Sequence, residues 1–411
     1  MAIDPREGLF EFTGFKGLRN NVAPTDFGPG DLVTALNVDV DDGENVGRRK
    51  GYGSVVVAGV DRDLFSSGAV CVGVGGNALK QILPDYSTIV LRSGLTARRA
   101  LTYSPLADRI YYSNGVETGV VQAGASRTWG LTPPVLGTAV ATGGGLLAGR
   151  YQYTMTYIRN DGQESGAALA RVITVGAGAG FDLTLPVSAD PTVVSKRVYM
   201  TAVDSETLFL FTILDIAVTS LSVRASPSLS SPLETQFLVS PDMLGVISHI
   251  AYGNGHMLLA VENQVFVSEP YAPELFDPRK AYTFPDRVTM IKFLEDGAWL
   301  GTDTQVAWLA NSDIEKWEFK QRAKYGVIPG TAVVDSAEAI ADGSSKLPAV
   351  FFATKEGLCA GMANGQLINF TKGRFAYPSQ PQGAGVVRDY RGSVQYLLTL
   401  NGPEIPGNTH I

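Results

Sequence analysis

Cysteine and histidine are nearly missing from this sequence: two cysteines and three histidines stand among 411 residues. The two thiols, Cys71 and Cys359, each lie in an apolar run and read as buried free side chains, since a chain this long builds its core without disulfide help. The same scarcity works against zinc chemistry, and no His-Glu-x-x-His, Cys-x-x-Cys or Gly-x-Ser-x-Gly arrangement occurs. Charge is also thin. Only 18% of residues are charged, the net charge is -7, and no Lys/Arg block is long enough to neutralise several adjacent phosphates, which disfavours a tight DNA binder. An acidic surface repels DNA weakly, as a conduit for sliding DNA requires. The most hydrophobic window, 208–218, is broken by Asp215 and is too short to cross a bilayer. The opening Met1-Ala2-Ile3-Asp4-Pro5-Arg6-Glu7 lacks the basic start and apolar stretch of a secretory signal. The expectation is a protein without a membrane anchor, soluble when synthesised.

What is present is apolar residues at 45%, with 46 glycines and 22 prolines scattered along the chain. That supports a well-packed protein of many short strands joined by tight turns. The length exceeds one ordinary compact domain. The opening segment contains a strand-turn-strand centred on Leu36-Asn37-Val38-Asp39-Val40-Asp41, with an Asp42-Gly43 turn and then Arg48-Arg49-Lys50-Gly51-Tyr52. Hairpin units then recur over 70–83, 109–121, 250–261, 291–300, 350–360 and 387–400, each around a Gly, Asn or Asp turn. A lone hairpin cannot bury its apolar face, so the units must stack; a spacing near forty residues matches one four-stranded propeller blade. A sandwich or barrel is the plainer alternative.

Between the second and third units lies a stretch bounded by Thr132-Pro133-Pro134 and by the Pro- and Ser-rich 225–232. Inside it Tyr151, Tyr153, Met155 and Tyr157 alternate onto one face of a half-buried strand. Further strands are expected over 170–175, 181–185, 197–201, 208–214 and 220–223. The fold class expected is all-β: a β-propeller-like main domain with an inserted immunoglobulin or fibronectin III-like β-sandwich. The expected division is an N-terminal segment with the first blades over 1–131, the insertion over 132–232, and the remaining blades with the C-terminal tail over 233–411. Residues 332–341 read either as one short helix or as a strand with Ala outward.

Candidate chemistry is sparse. His249 and His256 are seven residues apart, an odd spacing that puts them on opposite faces if one strand runs through both, while His410 falls in the tail. Asp39, Asp41, Asp42 and Glu44 lack the twelve-residue calcium-loop spacing and read as a solvated turn. Asp296, Asp303 and Arg322 are imaginable in the carboxylate and Arg roles of propeller glycosidases, but nothing in the sequence fixes their separation, acids on such turns are mostly just exposed, and Glu295-Asp296-Gly297-Ala298-Trp299 lacks the Ser and Thr of the sialidase turn. Gly143-Gly144-Gly145 and Gly176-Ala177-Gly178-Ala179-Gly180 lead into no Gly-Lys-Ser/Thr and read as flexible turns. The Tyr151, Tyr153 and Tyr157 stripe reads as a core face before it reads as a sugar or base platform. No catalytic, cofactor-binding or metal-ligating residue is assigned; no enzyme activity and no cofactor is expected.

Several segments resemble the tail hub or nozzle proteins of short-tailed bacteriophages. They are Gly14-Phe15-Lys16-Gly17-Leu18-Arg19-Asn20-Asn21, Ala35-Leu36-Asn37-Val38-Asp39 and Arg48-Arg49-Lys50-Gly51-Tyr52 at the start. Ala148-Gly149-Arg150-Tyr151-Gln152-Tyr153, Asp161-Gly162-Gln163-Glu164-Ser165 and Arg197-Val198-Tyr199 resemble their fibronectin-like insertion, with Met200 where an Arg often follows. Tyr252-Gly253-Asn254-Gly255 and Val267-Ser268-Glu269-Pro270 resemble their later blades. The resemblance implies a virion structural protein assembled in the host cytoplasm. It implies a hexameric ring of copies, portal or adaptor proteins above, fibres or a needle as other neighbours, and transient non-specific contact with genomic DNA. Such a ring closes the tail channel and lets DNA pass at ejection. The rival readings are a receptor-binding tail protein that grips host surface glycan and, behind it, a polysaccharide-degrading tail enzyme.

Overall fold

The structure is a computed structural model that describes residues 14–34, 38–40, 46–48, 59–68, 70–97, 99–226, 228, 231–336, 347–375, 377, 382–390 and 393–400. The chain is all-β; among the described residues the only helical pieces are 3-10 turns at Pro24–Asp26, Pro241–Met243 and Ile314–Lys316. It divides into two compact units, Val57–Ile291 and Met1–Val56 with Lys292–Ile411.

In the unit Val57–Ile291, propeller-like four-stranded meanders form from strands consecutive in sequence. The first holds Arg62–Ser67, Val70–Gly75, Ala78–Ile82 and Thr88–Arg92; the second Thr102–Leu106, Arg109–Ser113, Thr118–Gln122 and Ala125–Arg127. The third holds Ile247–Gly253, His256–Val261, Gln264–Glu269 and Ala272–Thr283. Turn chemistry sets this register. Asn254 and Gly255 both take positive φ, 51° and 80°, giving a two-residue turn whose twist matches the flanking strands and places Gly253 opposite His256. The first two blades share a core of Val72, Val74, Leu79, Tyr103, Ile110 and Tyr112. The second and third share another, of Tyr111, Val120, Trp129, Ile250, Leu259 and Phe276.

Between those two blades in sequence lie seven strands in two sheets. One sheet has Ala139–Leu146, Ala179–Thr184 and Ser220–Val223 in that order. The other has Arg171–Val175, Gly149–Arg159, Val193–Thr201 and Leu208–Asp215. Both contribute to one core in which Tyr151, Tyr153, Met155 and Tyr157 meet Phe181, Leu183, Val198 and Val223, so the alternating stripe is a core face. The second and fifth strands pair centrally, as in an immunoglobulin domain. Their flanking neighbours are the third and sixth, however, which departs from the immunoglobulin order of first, second, fifth and fourth. Gly143-Gly144-Gly145, expected as a turn, instead lies within the strand Ala139–Leu146, at a bulge between Gly143 and Leu146. The reason is close approach: a Cβ on Gly144 would lie 2.8 Å from the Ala179 carbonyl oxygen, so glycine lets two backbones pass there. The second glycine cluster does supply a turn, at Ala177-Gly178, before the strand Ala179–Thr184.

The strand Val288–Leu294 carries the chain from one unit into the other and begins a sheet continued by Gly297–Thr302, Val306–Ala310 and Glu318–Ala323. The unit that includes Lys292–Ile411 has a further meander, Val333–Ser336, Pro348–Thr354, Gly357–Met362 and Leu367–Asn369. Buried Trp299 packs there against Trp308 and Phe352, with ring centroids at 5.3 and 6.5 Å, and its Nε1 donates to the Met362 carbonyl. Of the helix-or-strand segment 332–341, Val333–Ser336 is strand and 337–341 lies outside the described residues. Gly383–Tyr390 and Ser393–Leu400 pair as a hairpin, as do Val38–Val40 and Val46–Arg48. Gly17–Leu18 runs parallel to Asp31–Leu32, and Asp31 accepts from both Arg19 and Arg374 at 2.9 Å.

Candidate functional site

The seven-strand, two-sheet segment is tied into its surroundings at both ends. On the incoming side, Trp129 is fully buried, lies 5.0 Å from the Tyr111 ring, and donates its Nε1 to the Pro273 carbonyl at 2.9 Å. Arg159, 1% exposed at the end of its strand, donates Nη2 to Thr128 Oγ1 and to the Gly130 carbonyl. The outgoing segment has the composition of a flexible linker, yet it is hydrogen-bonded to the sandwich: Leu210 N to the Ser231 carbonyl, Leu233 N to the Leu208 carbonyl, Ala167 N to the Thr235 carbonyl. Backbone amides that lose water must be paired, and here the sandwich edge does the pairing.

Two polar knots sit close to these linkers. Glu164 accepts from Arg197 Nη1 at 2.5 Å, from the Tyr199 hydroxyl at 2.7 Å and from Thr156 Oγ1 at 2.6 Å. Burial first, and then the Glu164 carboxylate, push the Tyr199 phenol up to about 12. In the second knot Tyr111 donates to Glu274 at 3.2 Å, with Arg109 Nη1 at 3.5 Å from the same oxygen. Burial raises the Glu274 carboxyl above its ordinary value in spite of Arg109 and Tyr111. Close by in sequence, Arg127 pairs with Asp161 at 3.1 Å. These groups brace strands and loops, and each carboxylate is enclosed by donors from its own chain.

Beside the linkers opens a groove of about 540 Å³ lined by the 116–118 turn, the 128–135 linker, Tyr157, the 186–190 loop, Arg92 and Asp242. Its charge is mainly negative. Burial raises the Glu117 carboxyl, but hydrogen bonds from Thr96 and Asn114 outweigh it and hold the group below the usual range, so Glu117 is a poor proton donor. Asp190 accepts from Thr128 Oγ1 and from the backbone and hydroxyl of Thr192. Arg92 donates to the Thr118 carbonyl and the Tyr112 hydroxyl. The volume is that of a small-ligand site.

The residues singled out in the sequence fall elsewhere. His249 and His256 stand on two strands of one hairpin, where His249 is opposite Ala260 and His256 opposite Gly253. The odd spacing separates them onto opposite faces only if one strand runs through both, and the Asn254-Gly255 turn puts them on two strands instead. His256 Nδ1 meets the Ser268 carbonyl at 2.7 Å and His249 Nδ1 the Ser248 hydroxyl at 3.1 Å. Asp296, Asp303 and Arg322 are exposed, on a turn, a bend and a strand respectively. Cys359 is fully buried beside Thr354 and Tyr325, while Cys71 is only half-buried; both are free thiols. His410, Asp41, Asp42, Glu44 and the Asp39 side chain lie outside the described residues. Among the described residues no group of three His, Cys, Asp or Glu side chains is placed to hold a metal ion. Glu274, Arg159 and Trp129 carry no sequence motif, and nothing short of the fold picks them out.

No family model matches the chain, and no curated protein sequence matches it. Among solved structures it is similar to a streptogramin B lyase, at 8% identity over 85% of this chain and 96% of that one, with a TM-score of 0.35. It is similar to selenomethionine-substituted virginiamycin B lyase from Staphylococcus aureus, at 9% identity over 75% and 83% with a TM-score of 0.30. It is also similar to apo AztD from Citrobacter koseri, at 12% identity over 84% and 90% with a TM-score of 0.28. Likenesses this remote carry no inference about activity.

Proposed function

We propose that this chain is a non-catalytic structural subunit of a bacteriophage tail, a nozzle or hub protein that forms a ring with copies of itself and closes the channel until DNA passes. The observation that carries the reading is what the residues of the tail-protein resemblance do in the fold. Glu164, Arg197 and Tyr199, from two of those motifs, converge on one hydrogen-bonded knot. Arg19, from a third, pairs with Asp31, which Arg374 also holds. Motif residues spent on bracing suit a scaffold that must stay rigid under load, and the doubly anchored insertion suits an arm that meets a neighbour. The net charge of -7 keeps passing DNA from adhering. Among the described residues no helix is long and apolar enough to cross a membrane. In this setting the partners are further copies in a hexamer, portal or adaptor proteins, and fibres or a needle, with the virion as the site of residence.

The test is immunogold labelling of density-purified phage particles with antibody to the isolated sandwich surface, backed by mass spectrometry of the same particles. The reading expects label confined to the tail and peptides from this chain at a constant ratio to the portal protein. Particles that lack the chain overturn it.

A further inference from the structure

We propose that the root of the two-sheet segment holds a small inorganic anion, of the size and charge of chloride, against the buried guanidinium of Arg159. The proposal does not depend on the tail reading; it rests on the charge and the hydrogen bonds around that one side chain.

The first observation is a cation without a counter-ion. Three arginines stand at this root, and two are paired, Arg109 with Glu274 at 3.5 Å and Arg127 with Asp161 at 3.1 Å. Arg159 is 1% exposed and, among the described residues, pairs with no carboxylate. Its Nη2 donates to Thr128 Oγ1 at 3.1 Å and to the Gly130 carbonyl at 3.2 Å, while Nε and Nη1 are buried with no hydrogen-bond partner among the described residues. The carboxylate linked to it, Asp190, is reached only through the Thr128 hydroxyl, which donates to Asp190 at 3.1 Å. A guanidinium keeps its proton in any protein, so the charge stays. Held out of water and unpaired, it is costly. Water meets the hydrogen bonds and leaves the charge; an anion answers both.

The second observation is an excess of donors at the same turn. Arg127 Nη1 and Nη2 and both amide atoms of the Gln163 side chain are likewise buried with no hydrogen-bond partner among the described residues. Gln163 belongs to the Arg159 turn: its carbonyl accepts from the Arg159 amide at 2.9 Å, and its own amide donates to Asp161, the residue that Arg127 faces. The unmet groups of these three side chains are five nitrogens against one oxygen. A species that only accepts fits that imbalance, and a monatomic ion fits a side chain that is 1% exposed better than a phosphate or an organic acid does. Thr128 and Gly130 also line the groove, which places the guanidinium one residue behind a surface that solvent reaches. The carboxylates of Glu117, Asp190 and Asp242 oppose an anion in the groove itself, so the groove is the way in and Arg159 the place of rest.

The experiment follows urea unfolding of the full-length chain as sodium chloride replaces sodium gluconate at constant ionic strength. The expected result is a saturable gain, with the folded-to-unfolded ratio raised about a hundredfold once chloride stands at roughly a hundred times its dissociation constant. Asp190→Asn, a change in a loop that removes the linked negative charge, lowers the half-saturating chloride concentration, whereas Arg159→Gln abolishes the chloride dependence. Should Arg159→Gln fail to fold, crystals of the wild-type chain grown in sodium bromide decide the point, and the expected anomalous peak lies within hydrogen-bond reach of Arg159 Nε or Nη1. Ordered water at those nitrogens with no anomalous peak, bromide on surface side chains only, or a stability indifferent to chloride overturns the proposal. A chloride dependence that survives Arg159→Gln unchanged overturns it as well.

Discussion

The hydroxyl of Tyr111 donates to the carboxylate of Glu274 across 163 residues of chain, and the seven strands of the two-sheet segment lie between them in sequence. The blades on either side of the insertion are thus tied by a buried polar contact as well as by their shared apolar core. Tyr111→Phe removes the hydroxyl that donates to Glu274 and leaves it Arg109 at 3.5 Å, a backbone amide and the nearby Arg127 charge. The expected loss is about 1.5–3 kcal/mol, the worth of a hydrogen bond to a charged, buried acceptor. Urea unfolding with hydrogen exchange in Arg109–Ser113 and Ala272–Thr283 reads it.

The same carboxylate makes stability depend on pH with a definite sign. Burial lifts the folded-state value of Glu274 above its ordinary 4.5. The folded chain therefore holds this proton more tightly than the unfolded one. Its contribution is complete below 4.5 and is lost as pH rises through the folded value. Glu274→Gln removes that dependence, so the stability of wild type relative to the variant declines from pH 4.5 upward and then levels off. A flat difference across that window contradicts the assignment.

Glu164 is the acceptor on which Arg197, Tyr199 and Thr156 converge. Glu164→Ala strands those donors and is expected to cost the sandwich about 2 kcal/mol. It also removes one of the two influences that hold the Tyr199 phenol up near 12, so that group titrates earlier. Ultraviolet titration of tyrosinate, with Tyr199→Phe as the reference, separates this group from the other phenols.

Asp31 bridges Arg19 and Arg374, the latter 343 residues away in sequence. Hydrogen bonds from Arg19 and from the Gly28 amide hold its carboxyl below the ordinary 3.8. The clasp is therefore present above 3.8 and is lost as pH falls through the lower, folded value. Asp31→Asn is expected to speed hydrogen exchange in Gly17–Leu18 and Asp31–Leu32 and to leave the Trp299 core unchanged.

Much of this architecture is legible in the amino acids because it is local. Hairpins announce themselves where Asn or Gly supplies a positive φ, as at Asn254-Gly255, and Ser220–Val223 matches its expected bounds. The Tyr151 stripe follows from period-two alternation alone. What escapes is long-range. Glu274 and Arg159 look like ordinary exposed-face residues of a strand until partners far along the chain enclose them. Gly143-Gly144-Gly145 has the composition of a turn, and only the backbone that passes beside it explains its place in a strand. The groove likewise gathers residues 92–242 from six separate segments, which no motif scan joins.

A cryo-electron microscopy map of the intact particle bears most directly on the central claim. The account predicts density for serial four-stranded blades with one sandwich apiece, repeated six-fold about the tail axis below the portal. A particle whose tail lacks that density, or one in which the chain sits singly at a fibre tip bound to glycan, contradicts it.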